Sequence, residues 1–134
     1  EMIARMPLHT LGLDILLEDG EDLGHAGDAH NFGIGPRLFS RRIPHPYPEA
    51  AICLDMVGDK ELTLPIEQFS YLQAPDLVID IWNFANQLGY NQFQKKMGIP
   101  IVDDHRVLFI HSGIPAIDII DFDYPNTEKN YWHT

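Results

Sequence analysis

Ala50-Ala51-Ile52-Cys53-Leu54-Asp55-Met56-Val57 is an almost unbroken apolar run with Gly58 behind it. A run of this length without alternation predicts a strand buried on both faces. Downstream, Pro75 suits the first turn of a helix. Leu77, Val78, Ile81, Trp82, Ala85 and Leu88 then recur at helical spacing on one apolar face, and Gly89 is a natural stop. Val107 to Ser112 predicts a further short helix ended by Gly113, and Pro115 to Asp121 a further apolar strand. Upstream, Leu11 to Leu17 is interrupted only by Gly12 and Asp14 and predicts a buried strand. Pro36 opens a short helix through Arg42, and Pro44, Pro46 and Pro48 enforce an extended linker. Short apolar strands alternating with helices indicate an α/β domain, with a central, mostly parallel sheet between helical layers.

At 134 residues the chain has room for a single domain, residues 1–134, and its 45% hydrophobic and 22% charged content is that of a folded protein. The formal net charge is -11 and the pI about 4.8. Such a surface repels phosphate backbones, which argues against nucleic acid as a partner. It accommodates a cationic ligand such as a peptide amino terminus. Cys53 is the single cysteine, so no internal disulfide forms, and its apolar setting suits a small hydrophobe. No stretch approaches membrane-spanning length. Glu1 to Met6 reads as the tail of a helix rather than a signal peptide, so the domain is expected to be incomplete.

Ionisable groups gather just after the apolar runs. Glu21 and Asp22 follow the first, Asp55 ends the second, and Asp118 to Asp123 surround the third. Asp103-Asp104-His105 precedes a helix, and His133 lies next to the last residue. In open α/β sheets the carboxyl ends of the strands form the binding crevice. Carboxylates and histidines converging there suit a divalent cation, zinc above all. In extended backbone Glu21 and Asp22 point opposite ways, so one can ligate a metal while the other carries a proton. An acidic surface turn explains the same pair without any metal. Likewise, one of Asp103 and Asp104 is accounted for as a helix cap. His25 and His30, in a polar loop with Asp28, are left outside the site. His9, His45 and His111 are read as structural or solvated, and Trp82 as core.

Asp19-Gly20-Glu21-Asp22, Leu54-Asp55-Met56-Val57-Gly58, Asp103-Asp104-His105, Gly113-Ile114-Pro115 and Tyr131-Trp132-His133-Thr134 together resemble the glutaminyl cyclases (glutaminyl-peptide cyclotransferases). These enzymes are relatives of the zinc aminopeptidases of metallopeptidase family 28. The order and spacing of the segments over nearly the whole chain carry the likeness. It implies a zinc-exopeptidase-like, three-layer α/β fold, incomplete at both ends. The chain would hold its C-terminal part.

By the same resemblance, Asp22 and His133 take the places of zinc ligands, and Glu21 that of the general acid/base. Asp55 and Asp103 match the aspartates that complete the proton and hydrogen-bond network, while Trp132, Ile101 and Tyr124 match the substrate pocket wall. The implied activity is conversion of an N-terminal glutamine to pyroglutamate with release of ammonia, on peptide or protein N-termini. The implied location is export, to the cell envelope or beyond. The family's upstream His-Tyr-Asp type segment, with its further aspartate ligand, has no counterpart here, and relatives continue beyond His133. Two ligands are fewer than the three typical of catalytic zinc, so the chain alone is expected to bind zinc weakly and turn over little substrate. An interrupted sheet would also expose an edge and favour self-association. Two other readings stay open: an aminopeptidase with two zinc ions, in which Asp55 ligates the second, and a truncated domain without catalysis.

Overall fold

The computed structural model describes residues 12–18, 20, 33–123 and 128. Its elements run α1 (Ile34–Ser40), β1 (Ala51–Asp55), β2 (Leu64–Ile66), α2 (Gln68–Gln73), α3 (Pro75–Gln87), β3 (Phe93–Met97), α4 (Asp104–Ser112) and β4 (Ala116–Ile120). The α/β class and parallel pairing follow the expectation. β1 pairs with β4 in parallel, from Ala51 opposite Ala116 to Asp55 opposite Ile120, and β2 pairs in parallel with β3. Helices α2 and α4 pack on β4, and β2 also touches β4, so the two strand pairs abut. Every residue of β4 is buried, as an apolar run covered on both faces must be.

The core forms where α3 meets the strands. Val78, Trp82 and Ala85 bury the face that helical spacing groups together, against Leu64, Ile117 and Ile119. Trp82 donates its indole N–H to the Leu64 carbonyl at 3.1 Å and meets Phe93 edge-on, with ring centroids 5.3 Å apart. That satisfies the one polar atom its burial would otherwise strand. Pro75 starts α3, as expected. Beyond its end Gly89 sits at φ +86°, a conformation costly for any residue with a Cβ. Leu88, assigned to the apolar face, is exposed instead because it caps the helix end. Ile117 is completely buried, so Ile117→Val should cost about 0.5–1.5 kcal/mol of unfolding free energy, read by chemical denaturation. A cost near zero would mean that β4 is not the centre of the core.

β1 departs from the burial expected on both faces: Ile52 is 50% and Leu54 61% exposed, while Ala51, Cys53 and Asp55 are half-buried, so among the described residues only one face of the strand is covered. Two further corrections follow. Residues 12–18 form no strand, and Leu13, Ile15, Leu16 and Leu17 are exposed, Leu17 at 91%. An extended apolar run becomes a strand only when a neighbouring edge completes its hydrogen bonds, and among the described residues none pairs with it. Second, β2, α2 and β3 were not expected. β2 is short and holds Pro65, while β3 carries Gln94, Lys95 and Lys96. Neither has the unbroken apolar signature of β1.

Candidate active site

Parallel pairing sets the carboxyl ends of β1 and β4 side by side, at the edge where α/β sheets hold their sites. Asp55 ends β1 and is half-buried. Asp121 follows β4 and is buried, accepting the Thr63 N–H at 2.9 Å, the Thr63 hydroxyl at 3.3 Å and the Asp123 N–H at 3.1 Å. Asp121 is thereby committed to tying down the segment that enters β2.

Asp103 is the N-cap of α4. It has extended backbone and only 8% exposure, and its Oδ1 accepts the Asp104 N–H at 2.5 Å. An aspartate here satisfies a free helix N–H, and its charge complements the helix dipole. That cap starts α4 at Asp104, before the Val107 expected from the apolar pattern. The cap and the residue matched to the family's proton network are therefore the same side chain. Cys53, on β1, is half-buried rather than sealed, and its thiol points at Asp103 Oδ2 across 3.9 Å.

Behind Asp103 lies a buried polar chain. Glu67, the N-cap of α2, accepts the backbone N–H groups of Phe69 at 2.9 Å, Ser70 at 2.5 Å and Ile101 at 2.8 Å. It also accepts the Ser70 hydroxyl at 2.8 Å and pairs with His105 Nε2 at 3.1 Å. Burial alone would raise the Glu67 pKa, but the His105 contact and the three backbone N–H donors outweigh it and hold the group at about 2. An ionised carboxylate only accepts, so His105 carries a proton on Nε2. His105 Nδ1 lies 3.8 Å from Asp118 Oδ2. Asp118, in the middle of β4, is pushed up to about 10, by burial first and then by the neighbouring charge of Asp103, with Asp55 and Glu67 adding to it. Burial, followed by its acidic neighbours, among them Asp103, Asp104 and Asp55, likewise drives the Cys53 thiol far above its ordinary range.

Among the residues expected at the site, the structure describes Asp55, Ile101 and Asp103. Asp55 and Asp103 both act electrostatically on Cys53 and Asp118, so they converge on one pocket of charge. Ile101 is half-buried, and its N–H is anchored by Glu67. Glu21, Asp22, Tyr124, Trp132 and His133 lie outside the described residues, as do His25, Asp28 and His30. His45 and His111 are exposed, in keeping with their reading. The linear pattern singles out neither Glu67 nor its pairing with His105. Asp118 did leave a signal, since an ionisable residue inside an otherwise apolar strand needs a reason.

Cys53, Asp103 and Asp118 bring three potential donor atoms within 4.8 Å of one another. Catalytic zinc needs deprotonated donors and an open position. Without a cation the Cys53 thiol and the Asp118 carboxyl are both biased toward their protonated forms, so a metal held there would have to displace two protons.

The model of peptidase family M28 matches residues 2–134. No curated protein matches. Among solved structures, the glutaminyl cyclase of Porphyromonas gingivalis is 39% identical with a TM-score of 0.77, over 87% of this chain and 44% of that one. A leucine aminopeptidase precursor from Bacteroides thetaiotaomicron is 29% identical with a TM-score of 0.73, over 82% of this chain and 41% of that one. A Zn-dependent exopeptidase from Parabacteroides distasonis is 29% identical with a TM-score of 0.70, over 87% and 44%. The chain thus spans less than half the length of each. Among the described residues no helix is long and apolar enough to cross a membrane.

Proposed function

The chain belongs to peptidase family M28, and from that premise we propose that it forms the C-terminal part of the catalytic domain of a zinc-dependent glutaminyl-peptide cyclotransferase. The observation that carries the choice is Asp103. Aminopeptidases of the family tend to hold a serine before the Asp-His pair, whereas here an aspartate caps α4 beside Cys53 and close to the charge of Asp55. The 39% identity with a glutaminyl cyclase supports the same choice.

This chain would supply two of the metal's ligands. Asp22 offers a carboxylate and His133 an imidazole, both ordinary zinc ligands. When bound there, zinc supplies Lewis-acid polarisation of the substrate's side-chain amide carbonyl. The remaining work falls to side chains of this chain. Glu21 accepts a proton as the substrate's own α-amine attacks the side-chain carbonyl carbon. It returns that proton to the nitrogen whose bond to the carbon breaks, and ammonia leaves. No attacking water is required. Asp55 and Asp103 orient Glu21, and Ile101, Tyr124 and Trp132 wall the pocket around the N-terminal residue of the peptide. The family resemblance also implies export.

The likeness to a leucine aminopeptidase precursor favours one rival, hydrolysis of N-terminal residues with two metal ions and Asp55 as a ligand of the second. Metal content and product separate the two in the full-length protein. One zinc per chain, with ammonia released from a glutamine-leading peptide, is expected. Two zinc ions with a free amino acid released would overturn the cyclase reading.

A further inference from the structure

Asp118 sits opposite Cys53 in the β1–β4 register, with no solvent exposure. Its backbone N–H donates to the Ser70 hydroxyl at 2.8 Å, but no N–H or hydroxyl donor reaches either carboxyl oxygen among the described residues, and the side chain it can hydrogen-bond with is another acid, Asp103. The titratable groups facing it come from each element packed against β4. Cys53 and Asp55 lie on β1, Glu67 caps α2, and Asp103 and His105 belong to the start of α4. Nδ1 of His105 is also buried and without a partner. With Nε2–H committed to Glu67, a neutral imidazole turns the Nδ1 lone pair toward Asp118, and an ionised Asp118 would set two acceptors face to face at 3.8 Å. That distance is also too long for a hydrogen-bonded imidazolium–carboxylate pair.

We infer that Asp118 is an uncharged carboxylic acid, and that its proton keeps Asp103 as the ionised, correctly oriented member of the pair. The two aspartates lie in opposite environments. Asp103 has a helix N–H on Oδ1 and the Cys53 thiol aimed at Oδ2, so its charge is supported. Asp118 has no such donors, and two adjacent buried carboxylates do not both ionise. Burial and the charge of Asp103 act in the same sense on Asp118. On the cyclase reading, Asp103 orients Glu21, and Asp118 is a positioning residue that acts only through Asp103. That second clause rests on the proposed function, whereas the uncharged state of Asp118 does not.

The experiment follows the aspartate carboxyl carbons of the 134-residue chain by 13C NMR across a pH titration. One aspartate should stay in the acid form through about pH 8, far above the ordinary range, vanish in Asp118→Asn, and lose its proton at lower pH in Asp103→Asn. Aspartates that all titrate in the ordinary range, or an ionised Asp118 against a His105 cation, would overturn the inference. Stability gives a second readout with a defined sign. A carboxyl raised from 3.8 to about 10 contributes stability that is full below the unfolded value and declines as pH rises toward the folded one. The permanently neutral Asp118→Asn should therefore gain on the parent chain as pH rises through that window, and a constant difference counts against the acid. In the full-length enzyme Asp118→Asn should retain turnover, while Asp118→Ala loses about 10- to 100-fold in kcat at unchanged KM, as for other groups that orient a working residue. Equal turnover in all three removes the positioning role. No cyclisation by the parent enzyme refutes the functional reading, and the NMR titration then still decides the state of Asp118.

Discussion

Glu21→Gln in the full-length enzyme is expected to leave zinc content unchanged and lower kcat by about 100- to 10,000-fold, the contribution of a positioned acid/base. Glutamine keeps the size and a carbonyl acceptor but cannot take the proton from the α-amine or deliver it to the leaving nitrogen. Because Asp22 rather than Glu21 is the assigned ligand, metal retention separates loss of chemistry from loss of the site. KM should change little, since the pocket wall is untouched. Turnover near the parent level would remove Glu21 from the mechanism, and loss of zinc would make it a ligand.

The second large effect is on stability. Glu67→Ala strands the N–H groups of Phe69, Ser70 and Ile101, the Ser70 hydroxyl and His105 Nε2 in a buried site. Removing one partner from a buried charged network costs about 3–5 kcal/mol, because each orphaned donor keeps its desolvation penalty. Glu67→Gln should recover little, since its amide NH2 would face donors. The pH dependence has a definite sign. Glu67 lies at about 2 in the folded chain against an ordinary 4.5. Its contribution is therefore present above the ordinary value and lost as pH falls through the folded one. The difference between parent and Glu67→Ala in urea denaturation should hold steady from neutral pH to about pH 5 and shrink on further acidification. A loss below about 1 kcal/mol would show that solvent reaches the Glu67 site. Since Glu67 also anchors Ile101, the variant should loosen that part of the proposed pocket wall.

Asp118 and Glu67 illustrate two fates of a buried carboxyl. Both are sealed from water and lie near His105. Glu67 collects donors and stays charged, whereas Asp118 collects none and faces other acids. Burial penalises the charge in each case, and the number of donors reverses the result in one.

Periodicity was enough for β1, α3 and β4. An unbroken apolar run or a helical stripe locates the element, and for α3 and β4 its burial too, whereas Ile52 and Leu54 of β1 stay exposed; Pro75, Gly89 and Gly113 mark ends through local backbone constraints. The ordered motifs around Asp55 and Asp103 likewise pointed to family M28, because chemistry holds those residue types at set separations. What remained to the tertiary structure was everything that depends on a partner distant in the chain. Residues 12–18 have the composition of a strand but no edge to complete it among the described residues, while β2 and β3 pair despite Pro65 and the lysines. The Glu67–His105 contact spans 38 residues and the Ser70–Asp118 bond 48. No local pattern encodes which donor meets which acceptor across such separations, and it is that pairing, set by how the helices pack on β4, that leaves one buried acid charged and the other neutral.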